Sequence, residues 1–243
     1  MNEETPVAPA QAAARAVPPL AEAVPEPVAA AEADVPARLV STAIAQYGER
    51  GTRAVSSRAI QRAAGVLNEA AVRYYFRDRM GLLEACLARI AADFAPLIDE
   101  AWAELETLRQ ADELQVRNVV QALVYAFHAL HQQDRPAVQL VARMIREDGE
   151  AGQDLLLRHF GPVIWRFEGA LASLLPGKSP SALRLHAFLA INSVVNGMVD
   201  QSLLWRLPAT DDNQAHYSLR REVLAEGFIE YVTAGLCAPS AID

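Results

Sequence analysis

Arginine, tyrosine and hydroxyl side chains crowd into one short stretch of this chain. Ser56, Ser57, Arg73, Tyr74, Tyr75, Arg77 and Arg79 make up the set, and Asn68, Glu69 and Ala70 stand among them as further candidates. Their chemistry is that of a nucleic-acid reader. The Arg73 guanidinium can reach guanine O6 and N7, or a phosphate. The hydroxyls of Tyr74 and Tyr75 can donate to phosphates, and Ser56 and Ser57 can meet one at the start of a helix. Arg79, with Arg53, Arg58 and Arg77, can clamp the backbone. Charge distribution points the same way. The chain as a whole carries −8, yet residues 36–90 hold nine Arg against four acids. The first 35 residues hold one Arg against six acids. An acidic protein with one basic segment fits a DNA-binding head joined to a body that does not touch DNA.

Such side chains need a rigid platform. From Pro36 onward apolar residues recur at three- and four-residue steps with no alternating strand pattern, so the spacing predicts an all-α chain of about nine helices. A first helix is expected from Pro36 to Tyr47, burying Leu39, Val40, Ala43, Ile44 and Tyr47 and ending at Gly48 or Gly51. Ser56 or Ser57 caps a short second helix that stops at Gly65, whose access to the left-handed region permits a tight bend. Asn68 caps a third, from Glu69 to Tyr75. There Ala71, Val72 and Phe76 pack inward, while Glu69, Ala70, Arg73 and Tyr74 point out. Asp78 caps a long fourth helix striped by Leu83, Leu87, Ile90, Phe94, Leu97 and Ile98, with Pro96 as the place for a kink. Further helices are expected over 113–132, 135–147, 151–174, 180–206 and 214–236, with a break or bend at Gly161-Pro162.

Three features resemble, in order and spacing, the DNA-binding motif of the TetR (tetracycline-repressor) family. They are Ala64-Gly65-Val66, Tyr74-Tyr75-Phe76, and Arg79 followed by Leu82-Leu83. The resemblance covers residues 37 to 87; beyond them only the helical pattern and the length agree. It departs in a bend one residue longer, at Leu67 or Asn68. Gln61 stands where a small Ala is usual, Tyr75 where a His is usual, and Arg77 where Gly is frequent. The resemblance implies an N-terminal three-helix DNA-binding domain with a helix-turn-helix, residues 35–85, and a C-terminal helical ligand-binding and dimerisation domain, residues 86–238. It also implies the partners: a double-stranded palindromic operator, a second copy of the chain, and a small-molecule effector that releases a repressor.

The body carries sequence signals of its own. The helix over 180–206 is apolar nearly all round, as expected of one that packs on a core and on a partner. Phe188, Ile191, Val195, Val199 and Leu203, with Phe228 and Val232 of the last helix, form the expected homodimer face. Phe94, Trp102, Phe127, His128, His131, Arg143, Met144 and Trp165 are the candidates for an effector pocket. The segment from Arg143 to Asp148 is the expected switch between pocket and head. His128 and His131 share a helix face, but no third ligand stands nearby, so no metal is expected. Cys86 and Cys237 lack metal-ligand spacing and read as small core residues. No nucleophile elbow, phosphate loop or zinc-protease signature occurs, so no enzymatic activity or cofactor is expected. The competing reading is a TetR-like helical interaction protein without DNA binding. Residues 1–34 are rich in Ala, Pro and Glu and are expected to be disordered. They lack a basic start and an apolar run, so they do not read as a secretory signal. The apolar stretch from Leu183 to Leu207 is interrupted by His186, Asn192, Asn196, Asp200 and Gln201, so no membrane span is expected. With no targeting segment read either, a cytoplasmic location is expected.

Overall fold

The computed structural model describes residues 28–206 and 223–239. The chain divides into a short N-terminal unit, residues 1–34, and a compact unit, Val35–Asp243. The described residues form nine helices and no strand. In chain order they are α1 (Val28–Arg50), α2 (Ser57–Ala63), α3 (Ala71–Phe76), α4 (Arg79–Gln110), α5 (Val116–Gln133), α6 (Arg135–Glu147), α7 (Gly149–Leu174), α8 (Pro180–Leu204) and α9 (Leu224–Cys237).

Several boundaries differ from the sequence expectation. α1 starts at Val28, with Pro36 inside it. The run Ala29-Ala30-Ala31-Glu32 has high helix propensity and outweighs the one donor that proline removes. α3 starts at Ala71 rather than Glu69, with no side-chain cap at Ala70. α4 and α7 run unbroken through Pro96 and Pro162. In α4 packing holds both sides of the proline: Leu87, Ile90 and Phe94 are buried before it, Ile98, Trp102 and Leu105 after it. Residues 214–222 of the expected last helix, and residues 1–27 of the expected tail, lie outside the described residues.

One hydrophobic core runs from the head into the body, with α4 common to both. Leu39, Ala43, Ile44 and Tyr47 of α1 pack with Ile60, Val72, Leu82 and Leu83 to make the head. α4 continues from the head into the body and lies against α5 and α7. α5 is the body's central helix, touching α4, α6, α7, α8 and α9. Its Val119, Val120, Leu123, Val124 and Leu130 are buried almost completely. Each contributes about 1.5–3 kcal/mol by leaving water.

α8 is long and apolar enough, by length and composition, to cross a membrane. Its apolarity has a local explanation. Val194, Val195 and Met198 fill the chain's own core, while Phe188, Leu189 and Leu203 are exposed on other sides. Of the two cysteines, Cys86 is buried and Cys237 is exposed, because Cys237 is the last residue of α9 and lies beyond the core. That corrects the core reading of Cys237.

Candidate nucleic-acid interface

The bend between α2 and α3 is built from backbone bonds that only certain residues allow. The Ser56 hydroxyl caps α2 by accepting from the Ala59 amide at 3.3 Å. At the other end Gly65 sits at φ +66°, where an added Cβ would be strained even though nothing crowds it. The Val66 amide closes the turn by donating to the Gln61 carbonyl at 2.9 Å. Arg38 of α1 donates to the Ala64 carbonyl at 3.2 Å, tying the end of α2 to the first helix.

The longer bend has its own support. The Gln61 side chain is almost fully buried and donates to the carbonyls of Asn68 at 3.3 Å and Glu69 at 2.9 Å. An alanine here would leave both carbonyls without that donor. Asn68 in turn accepts from the Ala70 amide at 2.9 Å, so it orders the approach to α3 rather than capping it directly. Leu67, in the extra length of the bend, is 98% exposed. Sequence spacing located the insertion but not this projecting apolar side chain.

α3 buries Ala71 and Val72 against the head and turns Arg73, Tyr74 and Tyr75 outward. Tyr74 and Tyr75 meet edge to face, 4.8 Å between ring centroids. Glu69 and Ala70 are exposed beside them, and Ser56 is exposed at the start of α2 with Ser57 half-buried. Arg77 ends α3 at φ +69°, ψ −54°, while the Asp78 amide donates back to the Phe76 carbonyl at 2.8 Å. This is a γ-turn of the strained kind. Asp78 then caps α4 through the Gly81 amide at 2.9 Å. Arg53, Arg58, Arg62, Arg73 and Arg77 are all exposed, and none makes an ion pair among the described residues.

Arg79 departs from its expected place in the phosphate clamp. Its Nη2 pairs with Asp148 Oδ1 at 2.8 Å, its Nε donates to the Thr52 carbonyl at 3.2 Å, and its guanidinium lies over the Tyr47 ring. The side chain is committed inward because Asp148, at the corner of α6 and α7, is 4% exposed and holds the cation. Arg143 belongs to the same junction and not to a pocket. It donates to the Gly48 carbonyl at 2.9 Å and pairs with Glu147 at 2.9 Å. Glu147 accepts from both the Thr52 amide, at 2.7 Å, and the Thr52 hydroxyl, at 2.9 Å. Burial pushes the Glu147 carboxyl up, but the donors Arg143 and Thr52 outweigh it and hold it below the ordinary glutamate range. Gly48 packs so closely on the Pro136 backbone that a Cβ would overlap it. Head and body are thus joined by direct packing and by one polar cluster.

The remaining pocket candidates scatter. The tilted rings of Phe94 and Phe127 lie 4.7 Å apart between centroids and that of Phe160 lies 6.3 Å from Phe94, all three buried in the core. Phe127 lines a small, largely apolar cavity of about 90 Å³, open to solvent, with Leu123, Val141, Ile145, Phe160 and Val195. Met144 is fully buried, and Trp102 is buried beneath the Arg166 guanidinium. Trp165 is 61% exposed on the outer face of α7. These three line none of the cavities described. His128 and His131 line a separate cavity between α5 and α8. No group of three or more metal-binding side chains occurs among the described residues.

The expected dimer face divides in two. Phe188 and Leu203 are exposed; Ile191, Val199 and Phe228 are half-buried. Val195 and Val232 are each 4% exposed and packed into the chain's own core. They cannot meet a second copy without unpacking. Leu189, Val223 and Tyr231 are exposed large side chains that the sequence reading left out.

A short helix with an exposed face, set off by a glycine bend, with unpaired arginines on it and in the segments beside it, and joined to a helical body, defines a helix-turn-helix regulator. A family model for bacterial regulatory proteins of the tetR family matches residues 39–86. One for the tetracyclin repressor-like C-terminal domain matches residues 117–235. The chain belongs to the TetR family of transcriptional regulators. Among curated proteins no match is found. Solved structures share the fold. A putative TetR-family regulator from Syntrophomonas wolfei superposes with TM-score 0.60 at 10% identity, covering 87% of this chain and 100% of that one. FadR from Bacillus subtilis, solved with stearoyl-CoA, gives 0.59 at 12% identity, with 82% and 98% covered. A HlyIIR mutant gives 0.57 at 14% identity, with 83% and 98% covered.

Proposed function

We propose that the protein is a cytoplasmic, ligand-responsive repressor that binds a palindromic operator as a homodimer and leaves it when a small molecule binds the body. The observation that carries this reading is the set of exposed, unpaired arginines on α2, on α3 and in the segments that flank them. Charges left without partners are suited to phosphates, while α3 itself has a size that enters a major groove. Arg73, Tyr74 and Tyr75 contact the operator, with Ser56, Ser57, Asn68, Glu69, Ala70 and Arg77 around them. A homodimer follows from the exposed apolar residues of α8 and α9. Phe188, Leu189, Leu203 and Tyr231 would otherwise stand in water, and two heads read two half-sites. The effector acts through the junction at Arg143, Glu147 and Asp148, because any shift of α6 or α7 pulls on Gly48, Thr52 and Arg79. The domain limits follow the same division, a head over residues 35–85 and a body over 86–238.

Selection of bound fragments from genomic DNA, followed by fluorescence anisotropy across a salt series, tests the proposal. Recovered fragments are expected to contain inverted half-sites about one helical turn apart. Affinity should fall linearly with the logarithm of salt concentration, as counterions are released from phosphates. Binding that shows neither a recurrent sequence nor a salt slope would leave a helical interaction protein instead.

A further inference from the structure

A second cavity, apart from the apolar one, lies where the end of α5, the start of α6, the end of α8 and the start of α9 meet. It has a volume of about 460 Å³ and is lined by His128, His131, Gln132, Arg135, Gln201, Ser202, Trp205 and Leu224. We propose that this cavity binds a small organic acid, its carboxylate held by Arg135, His131 and the Trp205 indole N–H.

Three observations converge on a ligand here. His131 is 8% exposed, and neither of its ring nitrogens has a hydrogen-bond partner. The Trp205 indole nitrogen is likewise shielded from solvent and unpartnered. Buried polar groups in native proteins are almost always hydrogen-bonded, so two orphaned side chains on one cavity call for a missing partner. Arg135 supplies the third observation. Many body arginines hold a carboxylate of the chain, yet Arg135 holds none among the described residues.

The chemistry selects an anion. Arg135 is a permanent cation, the indole can only donate, and no Asp or Glu lines the cavity. Burial first, then the charges of Arg135 and His128, keeps His131 below the usual histidine proton affinity. The permanent charge of Arg135 repels a metal ion and attracts a carboxylate. Beside an anion His131 would donate through one ring nitrogen, and guanidinium–carboxylate pairing is the strong, oriented form of such a bond. The indole ring and Leu224 add an apolar wall. This favours an acid with a short hydrocarbon or aromatic body over a bare inorganic ion. The volume suits a small organic molecule. The site stands independently of operator recognition, so its test uses no DNA.

Benzoate serves as the probe, with inorganic phosphate as the comparison, both titrated into the full-length, 15N-labelled protein at constant ionic strength. The chain has three tryptophans, hence three indole N–H signals, and W205F assigns the one that matters. Benzoate should move the Trp205 signal saturably and leave those of Trp102 and Trp165 in place. Arg135 is exposed, so R135Q should melt as the parent does, and it should bind benzoate at least about tenfold more weakly. No saturable shift overturns the proposal. So does an R135Q affinity equal to the parent's. A Trp205 response to phosphate as strong as that to benzoate overturns the preference for an organic acid.

Discussion

Arginines in the head and in the body have opposite fates. In the body, Arg89, Arg109, Arg117, Arg158, Arg166 and Arg184 pair with Asp93, Glu106, Glu226, Glu84, Asp99 and Glu168. In the head, Arg53, Arg58, Arg62, Arg73 and Arg77 stand exposed and unpaired among the described residues. The body pairs most of its described arginines, Arg135 and Arg146 among the exceptions, while the head leaves charge to be met from outside. A guanidinium in water costs the fold little, so the head can hold such charges in reserve without losing stability. Arg79 stands between the two regimes. It lies in the basic segment but is paired with Asp148, so the protein uses that charge to join head to body.

Removing Arg79 should therefore have the largest effect, and on stability. Arg79→Ala leaves Asp148 buried without its cation. Breaking a buried pair costs about 3–5 kcal/mol, and Arg79 is one-third exposed, so about 3 kcal/mol is expected. Thermal and urea unfolding would read it. A variant as stable as the parent would show the junction to be incidental.

Arg73→Ala should separate the regimes cleanly. Stability should stay within about 0.5 kcal/mol, while operator affinity falls by about 1–3 kcal/mol if the side chain reads a base. Anisotropy and a melting curve on one preparation decide it. Unchanged affinity would take Arg73 out of the interface.

Arg77→Gly should do both things weakly and in opposite directions. Relieving the positive φ at the end of α3 is expected to stabilise the head by about 1 kcal/mol. Loss of the cation should lower the salt slope of DNA binding by about one. A destabilised variant would mean that the Arg77 side chain packs to more purpose than its exposure suggests.

Arg89→Ala is the smallest expected change. Its partner Asp93 lies one turn away and both side chains are about half exposed. Such a pair contributes about 0.3–0.5 kcal/mol. DNA affinity should not move, and a clear loss would extend the interface onto α4.

Much of this was legible in residue order. The buried stripe of α1, the Gly65 bend and the outward set of α3 follow from spacing alone. Gln61 was legible as a departure and intelligible only once its amide was seen reaching Asn68 and Glu69. The pocket candidates fared differently. Phe94, Met144 and Trp102 are large apolar residues at helical spacing, and spacing does not distinguish a core filler from a cavity wall. On α8, apolar nearly all round, no periodicity marks which side meets the chain's own core. Val195 and Phe188 look alike in sequence and face opposite surroundings.

The chain alone determined its helices, its glycine turn and the basic character of its head, because backbone preference and charge belong to residue types and their near neighbours. Only the tertiary structure decided which arginines remain available and that both ring nitrogens of His131 are buried without a partner. Those outcomes depend on contacts such as Arg79 with Asp148, 69 residues apart, that no local pattern encodes.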